Sequence, residues 1–287
     1  MMIQWYPGHM AKTKKLIIEN LKLVDVVLHI IDARVPRSSY NPLIEKLSGN
    51  KPQIVVMNKA DLADDAASEI WIEYYRGKGI KAVKTNARNR KGIKDVLKAA
   101  KELTESKREK MARMGYVNVP IKFMIVGIPN VGKSAVINAM AGSAKAKVGN
   151  KPGITRGKQW IRIGGEFEYL DTPGILWPKF EDEMTGYMLA FVGSIKDEVL
   201  DFEEIALKLI GILSHRYPQA LLESYQLNCL SEDPYANLLS IGEKRGCRVK
   251  GGEIDALKAA RIVIDDFRNG RLGNITLELP EGVKYEQ

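Results

Sequence analysis

The first 180 residues alternate between short apolar runs and segments with apolar residues at helical spacing. The predicted strands lie at 24–33, at 53–58, in 80–87, which is a strand followed by a loop, and at 121–127; the first is a continuous apolar run rich in β-branched residues. Such runs are typical of strands buried on both faces of a parallel sheet. The predicted helices lie at 10–23, 41–48, 64–79, 91–114 and 132–141. This alternation predicts a doubly wound, mostly parallel α/β sheet.

The pattern changes near residue 160 and again near residue 180. Residues 159–163 and 166–171 alternate in polarity around Gly164 and Gly165, which predicts an antiparallel pair of strands. The later part is almost wholly helical in pattern, at 181–192, 201–216, 218–225, 234–243 and 253–270. We therefore predict an α/β domain over 1–180, followed by a smaller all-helical domain over 181–287.

Composition limits the class of protein. The chain has 287 residues, of which 45% are hydrophobic, so it can bury a sizeable core. Its two cysteines, Cys229 and Cys247, are too few for a disulfide framework. No apolar run approaches the ~20 residues that span a bilayer, and the N-terminus lacks the apolar stretch of a signal peptide. We expect a cytoplasmic monomer that does not bind membranes.

Charge is divided unevenly along the chain. Residues 1–180 contain 32 Lys and Arg against 16 Asp and Glu, whereas residues 181–287 contain 12 against 19. One explanation is a lysine-rich, solvated surface. The other is a surface that attracts nucleic acid, and charge alone leaves both open.

A phosphate-binding loop lies between a predicted strand and a predicted helix. Gly127, Gly132, Lys133 and Ser134 complete the G-x4-G-K-S pattern. Glycines allow backbone N–H groups to surround a phosphate at a helix N-terminus. Lys133 would bridge the β- and γ-phosphates, and the Ser134 hydroxyl would bind magnesium.

A second phosphate motif, D-T-P-G, follows about 40 residues later. Asp171 would hold magnesium through a water, and the Gly174 N–H would meet the γ-phosphate. Between the two motifs, Thr155 in "KPGIT" could add a second hydroxyl to magnesium when the γ-phosphate is present. D-x-x-G is a weak motif alone, but its distance from Lys133 is the one that GTPases share.

A base-reading motif comes first in the chain. Asn58, Lys59 and Asp61 form N-K-x-D at the end of a predicted strand, and "TNA" at 85–87 follows one strand later. A carboxylate accepts two N–H bonds from one edge of guanine, and adenine has no matching pair of donors. In the usual GTPase order the base-reading motif follows the phosphate-binding loop, whereas here it precedes that loop. The reversed order predicts a circular permutation joined between residues 114 and 121.

These motifs together resemble the circularly permuted GTPases of the YlqF/RbgA family, ribosome biogenesis GTPase A. The resemblance rests on "QWYPGHMAK", "DARVP", "NKAD", "GIPNVGKS", "KPGIT", "LDTPGILWPKFEDE" and "GEKRGC". It implies binding of GTP and GDP with magnesium, and a role in late assembly of the bacterial large ribosomal subunit. The implied partner is the precursor of that subunit, whose RNA and proteins would stimulate hydrolysis. The helical domain would bind RNA.

The motifs define the expected site. Nucleotide contacts are expected from Asn58, Lys59, Asp61, Thr85, Asn86, Ala87, Asn130, Val131, Gly132, Lys133, Ser134, Ala135, Thr155 and Gly174. Magnesium ligands are expected to be Ser134, Thr155 and Asp171. Catalytic roles are expected for His9, Asn130, Lys133 and Thr155.

The means of hydrolysis is open, because Ile175 replaces the glutamine that often follows D-x-x-G and an aliphatic side chain cannot orient water. The resemblance suggests two substitutes. Asn130 matches GTPases that use a potassium ion near the phosphates, although it could instead only shape the loop. His9 could reach the γ-phosphate when a partner orders its segment, although a lone surface histidine more often has no such role.

Two other functions fit parts of the pattern. Ile175 favours a nucleotide-gated RNA-binding placeholder with negligible hydrolysis, whereas Thr155 and Asn130 oppose it. A P-loop kinase acting on a small molecule is disfavoured by the N-K-x-D motif and by the lack of a substrate lid.

Overall fold

The computed structural model describes residue 15 and residues 17–142, 160–170 and 182–283. Within the first helix expected from the sequence, residues 17–21 are helical. The remaining elements are labelled below in chain order.

A single mixed sheet organises the first part of the chain. Its strands are β1 (Val26–Asp32), β2 (Gln53–Asn58), β3 (Lys81–Lys84), β4 (Ile121–Val126), β5 (Trp160–Ile163) and β6 (Phe167–Leu170). Their order across the sheet is β3-β2-β1-β4-β6-β5. Each neighbouring pair is parallel except β5 and β6, which are antiparallel as the sequence predicts. The α/β class is thereby confirmed.

Helices connect these strands and make up the later part. They are α1 (Pro36–Ser39), α2 (Pro42–Ser48), α3 (Asp65–Gly77), α4 (Ile93–Leu103), α5 (Glu105–Arg113), α6 (Lys133–Met140), α7 (Glu183–Phe191), α8 (Phe202–Arg216), α9 (Pro218–Tyr225), α10 (Pro234–Lys244) and α11 (Ala256–Arg268). Several begin at an aspartate whose carboxylate accepts backbone N–H groups of the first turn, as Asp64, Asp201 and Asp255 do. Such caps satisfy donors that the helix itself leaves unpaired.

The single helix predicted over 91–114 is wrong in one respect. The structure has two helices there, α4 and α5, which meet at Thr104. The Thr104 hydroxyl donates to the Ala100 carbonyl oxygen at 2.8 Å, and a threonine that bonds back in this way bends a helix. Helix α5, with the sequence ESKREKMAR, is strongly polar and buries none of its residues, so hydrophobic spacing could not reveal the bend.

The strand order explains the reversed motifs. If β4–β6 preceded β1–β3 in the chain, the same sheet would be that of an ordinary small GTPase. β1 pairs in parallel with β2 on one side and with β4 on the other. The carboxyl ends of β2 and β4, which lead into the two loops, therefore share one edge of the sheet, where α/β folds bind ligands.

The core extends from the sheet into the helical part. One apolar cluster joins Leu28 of β1 and Phe123 of β4 with Phe191 of α7, Leu209 of α8 and Val263 of α11, all fully buried. Helices α7, α8 and α11 therefore share one apolar core with the sheet. Residues 182–283 contain helices and no β-strand in the described structure.

Candidate functional site

A cavity of about 490 Å³ opens where β2 and β4 end. Ten residues expected from the sequence line it: Asn58, Lys59, Asp61, Asn86, Ala87, Asn130, Gly132, Lys133, Ser134 and Ala135. Leu62, Arg88 and Arg268 also line it. The two loops, separated in the chain and reversed in order, thus face one space.

The phosphate loop requires glycine at two positions where backbone or side chains come close. A Cβ on Gly127 would lie 2.4 Å from the Ile30 carbonyl oxygen. A Cβ on Gly132 would lie 2.3 Å from the Asn58 amide nitrogen, and Gly132 has φ +95°. The first glycine packs the loop against β1, and the second brings it against the base-reading loop.

Lys133 is folded back onto its own loop. Its Nζ donates to the carbonyl oxygens of Gly127 at 3.0 Å and Ile128 at 2.7 Å. Burial lowers the pKa of Lys133 from its usual value near 10.5 to about 8. The ammonium group is therefore held where an anionic phosphate would stabilise its charged form.

Asn58 joins the two loops. Its Nδ2 donates to the Val131 carbonyl oxygen at 2.8 Å. Its Oδ1 accepts from the Thr85 hydroxyl at 3.2 Å and from the Ala87 N–H at 3.1 Å. Thr85 and Val131 thus support the cavity through Asn58, while Asn86 and Ala87 line it.

Lys59 lines the cavity and forms an ion pair with a carboxylate at the end of β1. It has a left-handed backbone, with φ +59°, and its Nζ lies 2.9 Å from Asp32 Oδ2. Asp32 is fully buried at the end of β1 and also binds Arg34. Burial opposes ionisation of Asp32, but Arg34 and Lys59 outweigh it, so the pKa of Asp32 is held well below its usual range.

The helical part also reaches the phosphate loop. Asn130, with φ +61°, donates its side-chain amide to the Gly193 carbonyl oxygen. The Ser194 hydroxyl donates to the Pro129 carbonyl oxygen at 2.9 Å. The residue expected to sit beside a potassium ion is here hydrogen-bonded to the segment that follows α7.

Arg268 is the cavity residue that the sequence least suggested. It lies at the end of α11 and donates to the carbonyl oxygens of Ala190 and Phe191, which end α7. It also pairs with Asp197 at 2.9 Å. Its place on the cavity wall depends on the packing of α11 against α7, which no local pattern encodes.

Four expected site residues lie outside the described residues: His9, Thr155, Asp171 and Gly174. Their expected roles therefore stay predictions. Asp32 and Arg34 were missed as site residues, although "DARVP" was among the family motifs. Two charges at the end of an apolar strand were the available signal, because charges buried there must be paired.

The topology and the two facing loops define a class of protein, the P-loop GTPases, here in circularly permuted form. The family described as "50S ribosome-binding GTPase" matches residues 122–219. Ribosome biogenesis GTPase A of Bacillus cereus is 46% identical over 98% of this chain and 95% of the relative. Its counterpart in Priestia megaterium is 45% identical over 98% of both chains. This chain therefore belongs to the ribosome biogenesis GTPase A family, and it is a GTPase.

A solved structure agrees with this assignment. GNP-bound YlqF from T. maritima superposes with a TM-score of 0.62 at 25% identity, covering 95% of this chain and 100% of that one. In the part of the chain that the structure describes, every helix is too short or too polar to cross a membrane.

Proposed function

We propose that this GTPase binds GTP between its two facing loops and hydrolyses it during assembly of the large ribosomal subunit. We propose further that the precursor particle stimulates hydrolysis. The observation that carries the proposal is that Asp61 and Lys133 line one cavity although their motifs occur in reversed order. Membership of the ribosome biogenesis GTPase A family supports the biological setting.

The roles of the residues follow from their chemistry. Asp61 would accept two N–H bonds from guanine, and the "TNA" loop at 85–87, of which Asn86 and Ala87 line the cavity, would lie beside the base. The Lys133 ammonium group would leave the carbonyl oxygens of Gly127 and Ile128 and bind the β- and γ-phosphates. Gly132 keeps the backbone open to them, since any Cβ there would meet Asn58.

Magnesium, when bound, would neutralise phosphate charge in the reaction. Ser134 lines the cavity at the start of α6, where its hydroxyl can serve as a ligand. Thr155 and Asp171 complete the ligand set proposed from the sequence. Gly174 would sense the γ-phosphate, and potassium beside Asn130 remains part of the proposal.

Hydrolysis without a glutamine is assigned to His9 and Asn130. For Asn130 to approach the phosphates, its amide must leave the Gly193 carbonyl oxygen. A partner that shifts the segment after α7 would release Asn130, which supports stimulation by the particle. We propose 1–180 as the GTPase domain and 181–287 as the RNA-binding helical domain of a monomer.

The test combines binding and turnover. Large-subunit precursors should co-sediment with the protein in a non-hydrolysable GTP analogue and release it in GDP. They should raise steady-state hydrolysis by at least about tenfold. His9→Ala should abolish that increase without changing nucleotide affinity. Co-sedimentation with no increase in turnover would favour the placeholder function that Ile175 suggests.

A further inference from the structure

The lysine of the base-reading loop forms an ion pair with a buried carboxylate. Lys59 Nζ lies 2.9 Å from Asp32 Oδ2, and the Asp32 side chain is fully buried. The contact fixes a residue whose backbone is already in the left-handed region. One end of the segment that contains Asp61 is therefore anchored to the end of β1.

Arg34 continues this contact into the helical part. Its Nε and Nη2 each donate to one oxygen of Asp32 at 2.9 Å. Its Nη1 donates to the carbonyl oxygens of Phe267 at 3.1 Å and Arg268 at 3.2 Å, in the last turn of α11. Carbonyls at a helix C-terminus carry partial negative charge and lack partners within the helix, so a guanidinium group suits them.

A second connection reaches the other side of Asp61. We call residues 274–277, which follow the turn after α11, the strap. The Ile275 N–H donates to the Leu62 carbonyl oxygen at 3.0 Å, and the Asp64 N–H donates to the Thr276 hydroxyl at 3.1 Å. The Leu277 N–H donates to the Arg34 carbonyl oxygen at 2.8 Å. The strap thus lines the base-reading loop along its outer side.

We propose that the Asp32–Arg34 pair and the strap are positioning elements for guanine recognition. They bracket Asp61: Lys59 is held on one side and Leu62 on the other. A carboxylate that reads two N–H groups must be held within about 0.5 Å of its working geometry. The helical part thereby sets the specificity of the nucleotide site. This inference rests on the guanine site of the proposed function.

The proposal separates two parts of nucleotide affinity. Phosphate binding depends on Lys133 and the glycines of the phosphate loop. Among the described residues, the Lys133 ammonium group bonds to carbonyl oxygens of its own loop rather than to either positioning element. Guanine recognition depends on the geometry of Asp61. A change that displaces Leu62 or the strap should therefore weaken GDP binding more than binding of inosine diphosphate, which has the same phosphates and keeps the ring N–H but lacks the 2-amino group, the second of the two donors that Asp61 would read.

Two glycines in the turn between α11 and the strap provide a matched pair of variants. A Cβ on Gly270 would lie 2.6 Å from Leu62 Cδ2, whereas the described residues leave open space around a Cβ on Gly273. Both have positive φ, +73° and +89°, so both substitutions strain the backbone. Gly270→Val therefore pushes Leu62, and Gly273→Val serves as the control for strain.

We expect Gly270→Val to weaken GDP binding by about tenfold and inosine diphosphate binding by no more than about threefold, because the latter loses one contact to Asp61 rather than two, as measured by titration calorimetry. Gly273→Val should leave both affinities near those of the wild type. Adding Leu62→Ala to Gly270→Val should restore GDP binding. Binding of inosine diphosphate confirms in the same experiment that the variant is folded.

Other results have distinct meanings. Equal GDP affinities for the two glycine variants, or equal losses of GDP and inosine diphosphate binding, would overturn the positioning role. A wild-type protein that failed to bind GDP would instead overturn the proposed function. Arg34→Lys gives an independent measurement, because a lysine cannot bind both oxygens of Asp32 and both carbonyls of α11. It too should reduce the preference for GDP over inosine diphosphate. An unchanged preference would contradict the positioning role of the Asp32–Arg34 pair.

Discussion

At the scale of single residues, the site depends on a few polar groups held in buried positions. Asn58 satisfies one donor and one acceptor across two loops. Asp32 is charged and buried because two cations meet it. A buried polar group without a partner costs stability, because it has lost its hydration and gained no hydrogen bond in return. Removing one partner of such a pair therefore leaves the other with the full free-energy cost of desolvation.

Lys133 predicts a pH dependence of nucleotide binding. Burial places the pKa of its free form at about 8, and phosphates would raise it in the complex. Binding then takes up a proton as the pH rises through 8, so affinity should be constant below about pH 7 and fall about tenfold from pH 7 to pH 9. Titration calorimetry in buffers of different ionisation enthalpy measures this directly. Lys133→Arg, which stays charged throughout, should lose the dependence attributable to this residue, and an unaltered slope would refute the assignment.

At the scale of elements, the loops proposed to bind the nucleotide lie at strand ends, and the strands fix their positions. The base-reading loop leaves β2, and the phosphate loop leaves β4 and enters α6. Two strands that both pair with β1 hold these loops in register. Glycine at the start of α6 is then needed for contact between loops as well as for phosphate approach.

The glycines that flank α6 offer a test of this contact. Gly132→Ala would place a Cβ 2.3 Å from the Asn58 amide nitrogen, in a backbone with φ +95°. We expect it to cost about 1–3 kcal/mol locally and to reduce GDP affinity at least about tenfold. Gly142→Ala has similar strain, with φ +81°, and open space around its Cβ in the described structure. Its GDP affinity, measured by fluorescence titration, should stay close to that of the wild type. Equal losses would show that backbone strain alone accounts for the effect.

At the scale of the whole molecule, one apolar cluster unites the sheet and the helices. Its buried members include Ile30 and Phe123 in the sheet and Leu209 and Ile264 in the helical part. Polar contacts add to it, since Trp71 Nε1 donates to the Glu278 carbonyl oxygen at 2.8 Å. The two proposed domains therefore share much of their buried surface, which favours joint unfolding.

A core substitution in the helical part tests that expectation. Ile210→Ala, at a fully buried position in α8, should lower the free energy of unfolding by about 2–5 kcal/mol. Hydrogen exchange of the amides in β1 should report the same loss as helical circular dichroism. Val199→Ala, at a side chain that is 55% exposed, should change stability by less than about 0.5 kcal/mol. Protection of β1 that survives Ile210→Ala would mean that the halves unfold separately.

The sequence alone determined the class of fold, most helix and strand bounds, and the residues of the two loops. Strand and helix periods, glycine spacing and N-K-x-D are local patterns, and each reports the chemistry of its own neighbourhood. The sequence also predicted that Asp61 and Lys133 face one site, because a circular permutation explains the reversed order of the motifs, and both residues line the same cavity.

Only the tertiary structure decided how the helical part meets that site. Arg268 on the cavity wall, Gly193 opposite Asn130 and the strap beside Leu62 are contacts between segments far apart in the chain. Such contacts depend on the angle at which helices pack on a sheet, and that angle is set by the shapes of many buried side chains together. No short pattern carries this information, so the partners of Asp32 and Arg34 became visible only in three dimensions.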